Sequence, residues 1–403
     1  MILVGSVATS ERFRRQLIDS VRTLKVGYPA DPMTQMGPII EPAHGKLLDA
    51  LTTLGEGEEW LVRPTRLDAE GRLWSLGVRA GVAPGSAFHL TEYFGPVLGV
   101  MTARTLADAI ELQNATDYGL TAGIQSLDPN EVSQWLESVD AGNLYVNRGI
   151  TGAIVRRQPF GGWKRSTVGA STKAGGPNYL MTLGGWEPLE VDPGEDLELE
   201  GISEPVARVI MRAQAGLEFV EFDRVRLAAV RDQRAWASEF GISRDVSGLG
   251  VERDVFRYRA LPVTLRLSEG APLGDLVRLI AAATLTRSVL YISSAQPLPP
   301  GLVQLFGALD STSLVQSVII ESDTRWHARL VAGELATRRI RLIGGSPSTL
   351  ATIVRGNPDI AIYGGPVTTA GRVELLPFLH EQAVSITAHR FGNPDRAMVE
   401  LPV

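Results

Sequence analysis

The chain has 403 residues, 39 Lys and Arg against 45 Asp and Glu, a formal net charge of -6, and no cysteine. The absence of cysteine excludes disulfides, thiolate metal sites, iron–sulfur clusters and a cysteine nucleophile anywhere in these residues. The mild acidity argues against a protein that coats nucleic acid. At 44% hydrophobic and 21% charged, the composition is that of a folded chain of two to three domains. The five histidines, His44, His89, His327, His380 and His389, make no pair at i+3 or i+4, so no zinc or other metal site is expected. The apolar start Met1–Ala8 is too short for a membrane span and lacks the basic region of a signal peptide. A cytoplasmic location is expected.

The first half alternates strands and helices. Ile2–Val4 reads as a buried strand. A helix opens at Thr9 or Ser10 with Phe13, Leu17, Val21 and Leu24 on one face, and ends at Gly27 and Pro29. Lys46–Leu54 is a second helix. Short strands are expected at Trp60–Arg63 and Leu73–Leu76, and a continuous apolar strand at Val97–Thr102. The helix Thr105–Asn114, the strand Leu120–Ser126, the helix Glu131–Val139 and the strand Gly142–Asn147 follow. This spacing favours a parallel α/β sheet.

Residues 187–204 break the pattern: eight of these eighteen are acidic, with Pro188, Pro193 and Gly194 among them, which reads as a solvated linker. Alternation resumes with strands at Val263–Leu267, Val289–Ser293, Val318–Glu321, Ile340–Ile343 and Ile360–Tyr363. The intervening helices are Leu273–Leu285, Gly301–Leu309, Arg325–Ala336 and Thr349–Arg355. Right-handed crossovers of this kind build a doubly wound, Rossmann-like layer. A dinucleotide fingerprint is not expected in it. Gly248-Leu249-Gly250 lacks the third glycine and precedes a strand, and Ser268-Glu269-Gly270 puts an acid where a pyrophosphate would sit.

Three segments carry candidate chemistry. They are Glu92-Tyr93-Phe94-Gly95-Pro96, then Gly142–Arg148 running on to Thr151-Gly152-Ala153-Ile154-Val155, and Gln158-Pro159-Phe160-Gly161-Gly162-Trp163-Lys164 followed by Lys173–Leu180. By composition they place a carboxylate before a tight turn, and glycines and alanine where backbone must approach something closely.

In this order the segments resemble the aldehyde dehydrogenases. Within them they are similar to the 1-pyrroline-5-carboxylate (L-glutamate γ-semialdehyde) dehydrogenases, free-standing or as the dehydrogenase part of PutA-type proteins. The resemblance covers Ile2 to about Trp186 and includes Tyr118-Gly119-Leu120-Thr121-Ala122-Gly123. It implies a partial aldehyde dehydrogenase catalytic domain at 1–186, the acidic linker at 187–204, and at 205–403 a Rossmann-like doubly wound α/β domain resembling a degenerate aldehyde dehydrogenase nucleotide domain.

Roles follow from the same resemblance. Glu92 would accept the hydroxyls of the nicotinamide ribose of NAD, with Phe94 beside the nicotinamide. Gly152 and Ala153 would anchor the substrate α-carboxylate through successive backbone N–H groups. Phe160 would pack on the aliphatic part of the semialdehyde. No catalytic residue is expected within the chain, because the family's cysteine nucleophile and general-base glutamate match nothing here. The expected product is thus part of a longer, homo-oligomeric enzyme acting on a small molecule. FAD enters only if a proline dehydrogenase domain lies upstream. Two alternatives stay open: a non-catalytic binding or assembly subunit, and a dehydrogenase for another aldehyde. Glu381–Ala388 alternates and resembles the family's terminal strand, expected to cover the active site or to pair between subunits.

Overall fold

The computed structural model describes residues 1–187, 197–307 and 314–403. The chain divides into two compact units, Met1–Asp117 with Gln134–Val139, and Tyr118–Ser133 with Asp140–Val403. Most of the expected linker, residues 188–196, lies outside the described residues, as do residues 308 and 309 of the expected 301–309 helix. No helix among the described residues is long and apolar enough to cross a membrane.

The first unit is built on a four-stranded sheet in the order Ile2–Val4, Val97–Ala103, Gly77–Ala80, Glu59–Val62. The first two pairings are parallel and the last antiparallel. Val78, Val100, Met101, Leu51 and Ile110 form its buried interior. Helix Glu11–Arg22 starts where Ser10 Oγ accepts the Phe13 N–H at 3.2 Å. Helix Leu106–Asn114 carries a full capping box between Thr105 and Asp108, which satisfies two otherwise orphaned N–H groups. Residues 134–139 join this unit through Trp135, whose indole N–H donates to Gln113 Oε1 at 2.8 Å. One expectation fails here. Leu73–Leu76 is not a strand; the strand begins at Gly77, because residues 65–75 are held as an irregular turn, with Trp74 Nε1 donating to Gly71 O.

The second unit contains two five-stranded sheets. One is wholly parallel, in the order Val315–Ile320, Leu290–Ser294, Val263–Leu267, Arg339–Ile343, Ala361–Tyr363. This is the expected doubly wound layer, with the first strand at the centre. Helix Leu273–Thr286 covers it and is buried along almost its whole length, placing Leu276, Leu279 and Ile280 in the main core.

The other sheet is mixed and runs Thr121–Ile124, Asn143–Val146, Leu379–Thr387, Glu252–Ala260, Arg244–Asp245. Leu379–Thr387 lies parallel to Asn143–Val146 and antiparallel to Glu252–Ala260. The alternating segment around Glu381–Ala388 is therefore an interior strand, paired on both sides within its own chain.

Among the elements absent from the sequence reading, three are long. Helix Glu204–Ala213 follows the acidic segment and buries Val206, Val209, Ile210 and Ala213 at helical spacing. Helix Phe219–Ala235 is long but rich in charge. Strand Glu252–Ala260 carries Asp254 and Arg257 inward; they are accommodated because Ser385 and Gln382 on the neighbouring strand hydrogen-bond them at 2.7 and 2.9 Å.

Candidate functional site

The residues expected to face a substrate carboxylate lie in the second unit. Strand Asn143–Val146 is completely buried and ends at Asn147, which adopts a left-handed backbone (φ 56°). Its side chain clamps Ser126, accepting the Ser126 N–H and donating to Ser126 O. The chain then leaves the sheet, and residues 149–157 are exposed. The Tyr145 ring stays in the core and its hydroxyl donates to Gly152 O at 2.6 Å. Burial pushes the Tyr145 hydroxyl pKa up, opposed by Arg148. Gly152 has φ 102°, a conformation that a side chain would strain. The N–H groups of Gly152 and Ala153 have no acceptor among the described residues. Two adjacent open amides on a small-residue turn are donors available to an oxyanion. The loop closes where Gln158 N–H donates to Ile154 O at 2.8 Å.

Phe160 is half-buried, and its backbone pairs reciprocally with Ala174. Behind that pairing lies a polar network that the sequence reading did not identify. Buried Lys173 donates through Nζ to Asn143 Oδ1 at 2.8 Å and to Gly161 O. Its backbone N–H donates to Glu381 Oε2 at 2.5 Å. Asn178, fully buried, donates to Glu381 Oε1 at 2.8 Å and to the Tyr258 hydroxyl at 2.7 Å. Burial lowers the Lys173 pKa to about 7, against the opposing charge of Glu381. Burial raises the Glu381 carboxyl, opposed by its hydrogen bonds from Lys173 and Asn178. Gly142 is obligatory here, since a Cβ would run into Gly161 O and sit 2.9 Å from Lys173 Nζ. A cavity of about 670 Å³ adjoins the network, lined by Phe160, Trp163, Lys173, Arg339, Tyr363 and His380. The rings of Trp163 and His380 sit 4.8 Å apart beside it. A single lysine in a glycine-rich run was the available signal for Lys173. Glu381 had none, because its partner is 208 residues away.

Glu92 and Phe94 lie in the first unit. The Glu92 carboxylate is exposed, while Lys46 Nζ donates to its backbone carbonyl at 2.6 Å. Tyr93 turns inward and stacks on Phe88 at 4.9 Å. Phe94 is 77% exposed and left-handed (φ 55°). A large apolar ring in that combination is held against both its steric and its solvation preference, a pattern found at functional surfaces. Gly95 lets the following turn approach Leu47, where a Cβ would collide. Among the described residues no group of three His, Asp or Glu could hold a metal.

The family model for aldehyde dehydrogenases matches residues 2–183. Residues 2–183 are thus similar to the aldehyde dehydrogenases. The curated relatives include the 1-pyrroline-5-carboxylate dehydrogenases of Geobacillus sp. (strain WCH70), 38% identical over 176 residues, and of Bacillus subtilis (strain 168), 38% identical over 161 residues. The matches cover 41% and 40% of this chain and 32% and 31% of those enzymes. The chain thus spans about a third of the length of these relatives. Among solved structures, Proline Utilization A (PutA) from Corynebacterium freiburgense is 43% identical, with a TM-score of 0.77. The match covers 97% of this chain and 35% of that one. The second half, beyond the aldehyde dehydrogenase segment, therefore has a counterpart in PutA as well.

Proposed function

We propose that the chain supplies the substrate-carboxylate loop and the ribose-binding carboxylate of an NAD-dependent dehydrogenase of proline catabolism. That enzyme would oxidise L-glutamate γ-semialdehyde (1-pyrroline-5-carboxylate) to L-glutamate. The single observation that carries the reading is the Gly152–Ala153 turn. Its two amides are open, its glycine is left-handed, and its carbonyl is tethered to the core by Tyr145. A substrate that carries an α-carboxylate besides its aldehyde has a use for such a turn; a simple aldehyde does not. Phe160 offers an apolar surface for the methylene groups.

Glu92 and Phe94 fit NAD by their chemistry. An exposed carboxylate can accept two vicinal hydroxyls, and an exposed ring can flank a flat heterocycle. NAD, when bound, supplies the hydride acceptor. The chain's own residues bind and orient. With no cysteine among 403 residues, they provide no thiolate for the covalent step. That same fact supports the second reading, a non-catalytic binding or assembly subunit.

Titration of the isotopically labelled chain with L-glutamate tests the proposal. The Gly152 and Ala153 amide resonances are expected to shift, and γ-aminobutyrate, which lacks the α-carboxylate, is expected to leave them in place. Equal responses to the two compounds, or none to glutamate, would overturn it. Incubation of the purified chain with NAD and the semialdehyde is expected to give no NADH; turnover would refute the purely binding role.

A further inference from the structure

Arg148 stands four residues before Gly152, at the point where the chain leaves the sheet. Its backbone carbonyl accepts from Gln125 Nε2 at 3.0 Å. Its guanidinium Nη1 donates to Glu252 Oε1 and to Ser385 Oγ, both at 2.5 Å. Ser385 is completely buried, and its hydroxyl donates to Asp254 Oδ1 at 2.7 Å. Glu252 and Asp254 belong to strand Glu252–Ala260, and Ser385 to strand Leu379–Thr387. Both strands lie outside the aldehyde dehydrogenase segment at 2–183. Burial pushes the Glu252 carboxyl up, but the hydrogen bond and charge of Arg148 outweigh it and hold the group below its ordinary range. Burial raises Asp254, a direction consistent with the crowding of two carboxyls on one strand.

An ion pair with both side chains 29% exposed adds little to global stability. Its geometry matters more. An arginine shared between a carboxylate and a buried hydroxyl has few alternative orientations, so it fixes where the backbone beside it points. Arg148 fixes the entry of the 149–157 loop, Tyr145 its middle and Gln158 its exit. Of these three, Arg148 alone draws its partners from the second half of the chain. We propose that Arg148 is a positioning residue through which strands Glu252–Ala260 and Leu379–Thr387 set the geometry of the Gly152–Ala153 turn. This assignment rests on the reading of that turn as the carboxylate anchor. It gives the C-terminal half a part in substrate recognition without contact to substrate.

The test uses the full chain and the variants Arg148→Ala, Arg148→Lys and Glu252→Gln. Trypsin reports loop mobility at the exposed Arg156 and Arg157, and glutamate titration reports the turn itself. In Arg148→Ala, cleavage at Arg156 and Arg157 is expected to accelerate on the order of 10-fold, as local opening becomes easier. The glutamate dissociation constant is expected to rise by a similar factor, while the hydrogen-exchange protection of strands Asn143–Val146 and Leu379–Thr387 is retained. Arg148→Lys should recover part of both. Unchanged cleavage and unchanged glutamate affinity in Arg148→Ala would overturn the assignment. If that variant also loosens the strands, Glu252→Gln decides, and a wild-type loop there overturns it equally. Failure of the underlying reading looks different: the loop loosens in Arg148→Ala, but glutamate never perturbs Gly152 or Ala153 in the unmodified chain.

Discussion

The two five-stranded sheets of the second unit have very different interiors. The parallel layer is held by aliphatic packing, with Val263, Leu265, Leu267, Leu290, Ile292 and Ile340 at or near zero exposure. Its buried charges include two bidentate pairs, Arg278 with Asp232 and Arg341 with Glu374, and Arg266, which donates to Ser293 Oγ and Asp323 Oδ1. The mixed sheet is instead stitched by polar side chains: Arg257 to Gln382 and Ser385 to Asp254 between strands, Gln382 to Ala141 O, and Asn143 to Pro159 O beside the sheet. The candidate carboxylate turn grows from the mixed sheet. Apolar packing is tolerant and self-sufficient, whereas a hydrogen-bonded interior specifies register and aims particular loops.

Three perturbations sharpen that contrast. The largest effect is expected from Asp232→Ala, which strands the fully buried Arg278 guanidinium. Unfolding in urea should show a loss of about 3–5 kcal/mol, and the companion double variant Asp232→Leu with Arg278→Met should recover most of it. A double variant as unstable as the single one would mean that the pair, not the packing, holds the parallel layer.

Gln382→Ala comes next. It removes the hydrogen bonds to Arg257 Nε and Ala141 O, at a cost of about 1–3 kcal/mol, and tryptic cleavage at Arg156 and Arg157 should rise with it. Loss of stability without any loop effect would separate the mixed sheet from the turn.

The third perturbation is read as a slope with pH and concerns Lys173. Its folded pKa, about 7, lies below the ordinary 10.5. Between those values the unfolded chain holds the proton and the folded chain does not, so this group makes stability rise with pH across that window. The slope is at most about 1.4 kcal/mol per pH unit. Thermal melts of Lys173→Met should be flatter between pH 7 and the ordinary lysine range than those of the unmodified chain. An unchanged slope would mean that Lys173 keeps its proton when folded.

The parallel layer was legible in the sequence because its strands are short, mostly apolar runs and two of its helices open on a serine cap, Ser322 and Ser346. The candidate site was named from its motifs alone. Glu92, Phe94, Gly152, Ala153 and Phe160 could be named in order, but nothing local marked Tyr145 as a tether or Arg148 as a brace, since their partners are set by tertiary structure. Strand Glu252–Ala260 escaped notice for the same reason: its inward Asp254 and Arg257 look solvent-facing until Ser385 and Gln382 are placed opposite. Helix Glu204–Ala213 was hidden differently, by the acidic run before it, although Val206, Val209, Ile210 and Ala213 keep helical spacing.

The interior position of strand Leu379–Thr387 has a consequence for the order of events during synthesis. Gln382 donates to Ala141 O across a separation of 241 residues. The sheet that carries the carboxylate turn therefore cannot close while Ala141 and its neighbours are leaving the ribosome; it waits for the whole parallel layer to be made. At a translation rate of roughly 5–20 residues per second, the half-built sheet stays open for more than ten seconds. During that interval the edge of Asn143–Val146 is bare and apolar, which makes it a natural client for a chaperone.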